Sequence, residues 1–226
     1  MKKSKDLTYI FLLVASPVAV LAGSLIFGSK AYIFISACVA MLSMIPFFLR
    51  FEKGRTRTKN LVVLATMVTL SVIGRSVFAF LPNFKPVTAI VVITGIYLGA
   101  ENGFLCGALS ALISNFIFGQ GPWTPFQMLA WGLIGLFAAL LSRPLGKSRI
   151  ALCAYGVFSA AFYSLLLDVF AVLWQDGIFN PARYLALTVS SLPVMLAYAA
   201  ANVTFLLLLS KPIGEKLYRV KTKYGL

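Results

Sequence analysis

The chain has 226 residues, 60% hydrophobic and 12% charged, with 20 Lys and Arg against 6 Asp and Glu. A soluble domain carries about a quarter charged residues, so this chain lacks the charge to cover a water-exposed globule. Several apolar runs are each long enough to cross a hydrocarbon core roughly 30 Å thick. The chain therefore reads as a polytopic all-α membrane protein, which excludes a soluble enzyme, a secreted disulfide scaffold and a disordered tail.

Eight apolar segments are expected in chain order, over 7–27, 31–49, 60–81, 86–100, 103–118, 123–142, 149–174 and 185–209. The first follows Lys2, Lys3 and Lys5 and ends near Ala22-Gly23, as a signal peptide does. A second apolar run and an Arg-rich loop follow at once, so an uncleaved hairpin fits better. Segments 86–100 and 103–118 are short, roughly 22–24 Å each as helices, and form two short helices or a re-entrant pair.

Charge placement orients these segments. With the N-terminus in the cytosol, the basic clusters at Lys2–Lys5, Arg50–Lys59, Arg143–Arg149 and Lys211–Lys223 all lie inside. Only Lys30, Lys85 and Arg183 fall outside, and Arg75 lies within a span. Both termini are therefore expected in the cytosol. The stretch Arg50–Lys59 divides the chain into an accessory hairpin with its basic loop (1–59) and a six-helix core with a basic tail (60–226). The hairpin is plainly apolar, whereas the core helices carry the small and polar residues of packed or functional surfaces.

The outer loops of the core share one chemistry. They are Leu81-Pro82-Asn83-Phe84-Lys85-Pro86, Phe118-Gly119-Gln120-Gly121-Pro122-Trp123-Thr124-Pro125-Phe126-Gln127, and Trp174-Gln175-Asp176-Gly177-Ile178-Phe179-Asn180-Pro181-Ala182-Arg183-Tyr184. A pocket for a small organic molecule needs this mixture of stiff aromatic walls and a few orienting polar groups. An interfacial aromatic belt accounts for any one of these aromatics taken singly.

Arg75 and Asp168 each lie six residues before the outer end of their segments, roughly 9 Å deep. An isolated charge at that depth is costly, so the two are expected to pair at the floor of the outward pocket, or simply to tie two helices together.

Other features read as packing. Gly95, Gly99, Gly103, Gly107 and Ala111 recur every four residues, a spacing that lets helix backbones approach closely. Gly99-Ala100-Glu101-Asn102-Gly103 also reads as a tight turn. Two heptapeptides match, Leu140-Leu141-Ser142-Arg143-Pro144-Leu145-Gly146 and Leu208-Leu209-Ser210-Lys211-Pro212-Ile213-Gly214. They are either the trace of a duplication or two helix ends marked by a cation and Pro. Cys38, Cys106 and Cys153 fit no disulfide or metal spacing and read as small buried hydrophobes.

No enzyme signature appears. The chain has no His and no phosphate-binding Gly-x-x-x-x-Gly-Lys-Ser/Thr loop, so no metal or cofactor is expected. Asp168 is the only membrane-embedded acid. A proton-driven carrier places ionisable groups at the midplane, and the off-centre Arg75 and Asp168 do not suit that role.

Residues 60–210 resemble the substrate-binding S component of energy-coupling factor (ECF) vitamin transporters. The resemblance rests on Leu64-Ala65-Thr66-Met67-Val68-Thr69 leading to Gly74-Arg75, and on Phe84-Lys85-Pro86-Val87-Thr88-Ala89. It continues through Gly99-Ala100-Glu101-Asn102-Gly103-Phe104, Ser114-Asn115-Phe116 and Gly119-Gln120-Gly121-Pro122-Trp123-Thr124-Pro125. It implies a six-helix binder in the prokaryotic plasma membrane that partners a transmembrane T component and two ABC ATPase subunits. Its Ala-x-x-x-Ala docking element reads Ala65-x-x-x-Thr69 here, a departure from the pattern, and the N-terminal hairpin is a second.

The resemblance also suggests a cobalamin-type corrinoid as cargo, with riboflavin, another flat vitamin or a queuosine-type base as alternatives. Together with the loops, it gives an expected substrate-binding set of Arg75, Asn83, Phe84, Lys85, Asn115, Gln120, Trp123, Thr124, Gln127, Trp131, Asp168, Trp174, Gln175, Asn180 and Tyr184. A standalone carrier, or an assembly protein whose loops contact another protein, remain the alternatives from other classes.

Overall fold

The computed structural model describes residues 41, 42, 44, 45 and 58–224. The two segments expected over 7–27 and 31–49 lie largely outside the described residues, as does Cys38. From residue 58 onward the chain forms helices joined by short turns: α1 (Thr58–Val77), α2 (Val87–Leu98), α3 (Ala100–Phe118), α4 (Thr124–Leu140), α5 (Ser142–Lys147), α6 (Arg149–Asp176) and α7 (Pro181–Tyr224). Among the described residues there is no strand. Helices α1, α3, α6 and α7 are long and apolar enough to cross a membrane.

Local chemistry sets most of the boundaries. Pro125 sits in the first turn of α4, where a missing N–H costs nothing. The Ser148 hydroxyl accepts from the Ala151 amide and starts α6, and Gly177 ends that helix with a left-handed φ of 70°. The Asn180 side chain accepts from the amides of Ala182 and Arg183 at 3.1 and 3.2 Å and starts α7. α1 ends at Val77, four residues short of the expected segment end, and the chain turns through Asn83 at a φ of 58°.

Segment 86–118 resolves as two helices hinged at Gly99, whose φ of 92° suits a residue without a Cβ. α2 has 12 residues, about 18 Å, and is too short to span. It survives because it is surrounded: every residue from Val87 to Gly95 is buried, and α1, α3, α4 and α7 all pack on it. A short helix at the centre of longer ones leaves a hollow beyond each of its ends.

Glycine holds this centre together, as the four-residue spacing predicts. A Cβ on Gly103 would lie 2.6 Å from the Gly135 carbonyl oxygen, and one on Gly95 would also strike Gly135. Gly107 meets the α4 backbone at Trp131 and Gly132. The α4 glycines are thus the counterpart of the α2–α3 series. Cys106 is fully buried and Cys153 partly so, both as free thiols.

Helix α7 corrects one expectation. It was to end near residue 209 at Ser210-Lys211-Pro212, with a basic tail beyond, yet the helix runs through Pro193 and Pro212 to Tyr224, about 66 Å in all. Tertiary packing overrides the proline stop: Gly214 is buried against the Tyr97 ring, Leu217 is buried a turn later, and Lys221 Nζ donates to the Tyr97 carbonyl at 3.0 Å.

Candidate functional site

The α1–α2, α3–α4 and α6–α7 connections share one end of the bundle, since successive long helices alternate in direction. Beyond the N-terminus of α2 at this end lies a hollow of about 60 Å³. Arg75, Lys85, Val87, Thr88, Gln127, Trp131, Tyr163, Tyr198 and Asn202 line it.

Arg75, in the last turn of α1, is fixed from three sides. Its Nη1 donates to Ser114 Oγ and, at 2.9 Å, to Asn115 Oδ1. Its guanidinium carbon lies 4.7 Å from the Phe118 ring centre and 5.4 Å from that of Trp131. Neutral acceptors and ring faces hold the cation in place of a carboxylate.

Asn115 passes this order onward. Its Nδ2 donates to Thr124 Oγ1 at 2.9 Å and to Gln127 Oε1 at 2.8 Å, and Gln127 Nε2 donates to the Tyr163 hydroxyl at 3.0 Å. Thr124 in turn donates to Gln120 Oε1 at 2.9 Å, while Gln120 Nε2 closes the loop on the Leu112 carbonyl. Asn115, Thr124 and Gln127 are buried, so each bond satisfies a group that would otherwise be costly to bury. Trp131 stacks on Tyr163 with centroids 5.2 Å apart, and Tyr198 meets Tyr163 edge-on at 5.5 Å.

Among the described residues, the lining carries two cations and no carboxylate. Lys85 Nζ sits 5.2 Å from the Phe118 ring centre, on the ring Arg75 also faces. Partial burial, and then the neighbouring Arg75, pull the Lys85 ammonium below its ordinary pKa. The hollow therefore favours a guest with electron-rich edges, such as ring carbonyls or an anion, bounded by aromatic faces.

The structure thus gathers Arg75, Lys85, Asn115, Gln120, Thr124, Gln127 and Trp131 from the expected set into the hollow or the network behind it. It does not gather the others there. The expected Arg75–Asp168 ion pair does not form: Arg75 Nη1 turns to Ser114 and Asn115 on α3, and Asp168 accepts from Ser191 Oγ at 3.1 Å on the α6–α7 seam. An ion pair forms instead at the α6–α7 turn, between Arg183 and Asp176 at 2.6 Å, supported by Gln175. Trp174 stacks on Phe170, Tyr184 packs on Phe179, and Asn180 caps α7. Phe84 packs on Phe205, Asn83 forms the turn, and the Trp123 ring covers Gly121.

Tyr163, Tyr198, Thr88 and Asn202 line the hollow although the loop chemistry did not point to them. They sit within apolar helical runs. Asn202 carried the clearest signal, as an amide inside a span, and it donates to the Gly156 carbonyl at 3.1 Å.

Four helices long and apolar enough to cross a membrane point to a multi-pass membrane protein, with an aromatic and basic hollow at one end. A family model described as "ECF-type riboflavin transporter, S component" matches residues 55–218, and the chain belongs to that family. It is thus a transporter component, the substrate-binding subunit of an ECF system. No curated protein and no solved structure matches the chain.

Proposed function

We propose that the chain captures a flat, carbonyl-bearing vitamin of the riboflavin type and delivers it by docking with a T component and cytosolic ATPases in the cell membrane. The observation that carries this reading is the pairing of Arg75 and Lys85 with the Trp131–Tyr163–Tyr198 walls in one hollow. Ring faces supply area for a planar guest, and the two cations select its carbonyl edge. A hollow of about 60 Å³ accepts the edge of a ring system, and the rest of the guest lies towards the mouth between the loops. The corrinoid suggested by the resemblance is a weaker candidate, because Gln120, Gln175 and Asn180, amides expected to serve it, are turned to internal bonds.

The basic clusters support an outward-facing hollow with both termini in the cytosol, and residues 1–59 forming an accessory hairpin. Ala65 and Thr69 are both exposed on the same side of α1, one turn apart, as a docking stripe requires.

The test is binding by the purified protein alone, by tryptophan quenching and calorimetry, against riboflavin, flavin mononucleotide, cobalamin and a queuosine-type base. Tight riboflavin binding that Arg75→Gln weakens at least tenfold supports the reading. Cobalamin binding in its place would transfer the cargo, and transport by the protein alone in liposomes would make it a standalone carrier.

A further inference from the structure

At the opposite end of α2 lies a second and larger cavity, of about 250 Å³. Lys147 of α5, Arg149 of α6 and Lys211 of α7 all stand in its wall, and no carboxylate does. These three exposed cations come from three separate elements and concentrate positive potential around one hollow.

The cavity is also built rather than incidental. The two matching heptapeptides meet here: Leu145 and Gly146 of the first lie in the same wall as Ser210 and Lys211 of the second. Tyr97 joins them. Its ring occupies the space that a Gly214 side chain would need, and its carbonyl is held by Lys221 Nζ. Ile96 and Leu152 add an apolar patch to the wall, and Ser148 adds a hydroxyl.

We propose that this cavity binds a phosphate group, carried by an anionic lipid headgroup of the adjacent leaflet or by a small soluble phosphate ester. An arginine with two lysines matches the charge and hydrogen-bonding capacity of a phosphate. Basic pockets between membrane helices at the cytosolic side take such headgroups. A bound phosphate would bridge α5, α6 and α7, each of which puts one cation in the wall. The proposal does not depend on which molecule the other hollow takes.

The test is native mass spectrometry of the full chain in neutral detergent, titrated with phosphatidylglycerol and with phosphatidylcholine of equal acyl length. A separate arm uses glycerol 3-phosphate and inorganic phosphate, read by 31P line broadening. The expected result is a preference of at least tenfold for phosphatidylglycerol. The triple change Lys147→Gln, Arg149→Gln, Lys211→Gln abolishes it, whereas Lys216→Gln, Arg219→Gln, Lys223→Gln, with equal charge loss, does not. Binding of the soluble phosphates alone, lost in the cavity triple, assigns the site to a soluble ester. Equal losses in the two triples, or no binding of any phosphate, overturn the proposal. Should the cavity triple fail to fold, Gly146→Glu serves in its place. A Cβ at Gly146 meets nothing within 4 Å, and the added carboxylate should reduce phosphatidylglycerol binding at least tenfold.

Discussion

Arg75 and Asn115, 40 positions apart, share a 2.9 Å hydrogen bond that joins the last turn of α1 to α3 and, through the same amide, to Gln127 and Thr124 on α4. One small side chain therefore sets both the position of the cation and the aim of the glutamine beside it.

Two changes at Asn115 separate these roles. Asn115→Leu leaves several buried polar groups without partners, and a loss of about 2–4 kcal/mol is expected. Asn115→Asp keeps an acceptor for Arg75 while neutralising it. That variant should keep a melting temperature nearer the parent's and lose at least tenfold in affinity for a carbonyl-bearing vitamin. Unchanged affinity would mean that the Arg75 charge takes no part in recognition.

Arg75 and Asp168 should behave as strangers. In a double-mutant cycle with Arg75→Gln and Asp168→Asn, thermal stabilities are expected to add within about 0.5 kcal/mol. A larger coupling would show that the two charges sense each other.

At the glycine contact, Gly103→Ala and Gly135→Ala each drive a methyl into the facing backbone. Each should cost about 2–4 kcal/mol, at the severe end for a single methyl because backbone cannot step aside as a flexible side chain does. Gly146→Ala is the matched control: the added methyl meets no neighbour, so the helical preference for alanine should leave stability equal or up to about 1 kcal/mol higher. Thermal melts of the three variants in one detergent decide the point.

Lys85 makes stability depend on pH with a definite sign. Its folded pKa lies below its unfolded value, so the unfolded chain holds more protons between the two. The penalty for its charge is full below the folded pKa and is relieved as pH rises through that value towards about 10.5. The gain in melting temperature from Lys85→Met should therefore be largest near neutral pH and shrink under alkaline conditions. A constant difference across that range would contradict the assigned shift.

On the proposed docking face, Ala65→Leu with Thr69→Leu should leave binding to the isolated protein within about twofold, since both positions are exposed and lie outside the lining of the hollow. Uptake by the assembled transporter should fall at least tenfold. Equal loss of both would mean a folding defect.

Much of this arrangement was legible in the residues. Among the described residues from 58 onward, apolar runs located six of the seven helices, and the recurring glycines foretold the close contact of α2 with its neighbours, although not its partners Gly132 and Gly135. Arg75, Gln127 and Trp131 stood out because polar and aromatic groups near a boundary need a reason to be there. The Arg75–Asp168 pair misled because equal depth says nothing about rotation around the helix axis: Arg75 faces α3, whereas Asp168 faces Ser191. Tyr163 and Tyr198 were hidden for a related reason. In an apolar run a tyrosine reads as one more hydrophobe until its neighbours across the helix interface are known. Packing likewise carried α7 past Pro212, where local preference alone predicts a stop.

The glycine-to-carbonyl contact between α3 and α4 has a mechanical consequence. Side chains that interdigitate can slip past one another by changing rotamer, but bare backbone in contact has no such freedom. Helices α2, α3 and α4 are thereby locked as one block. Any opening of the hollow must be borne by its other walls: α1 with the loop that carries Lys85, or the α6–α7 pair that presents Tyr163, Tyr198 and Asn202. The block acts as the anvil, and a swing of α1 against it would first have to break the Arg75–Asn115 tie.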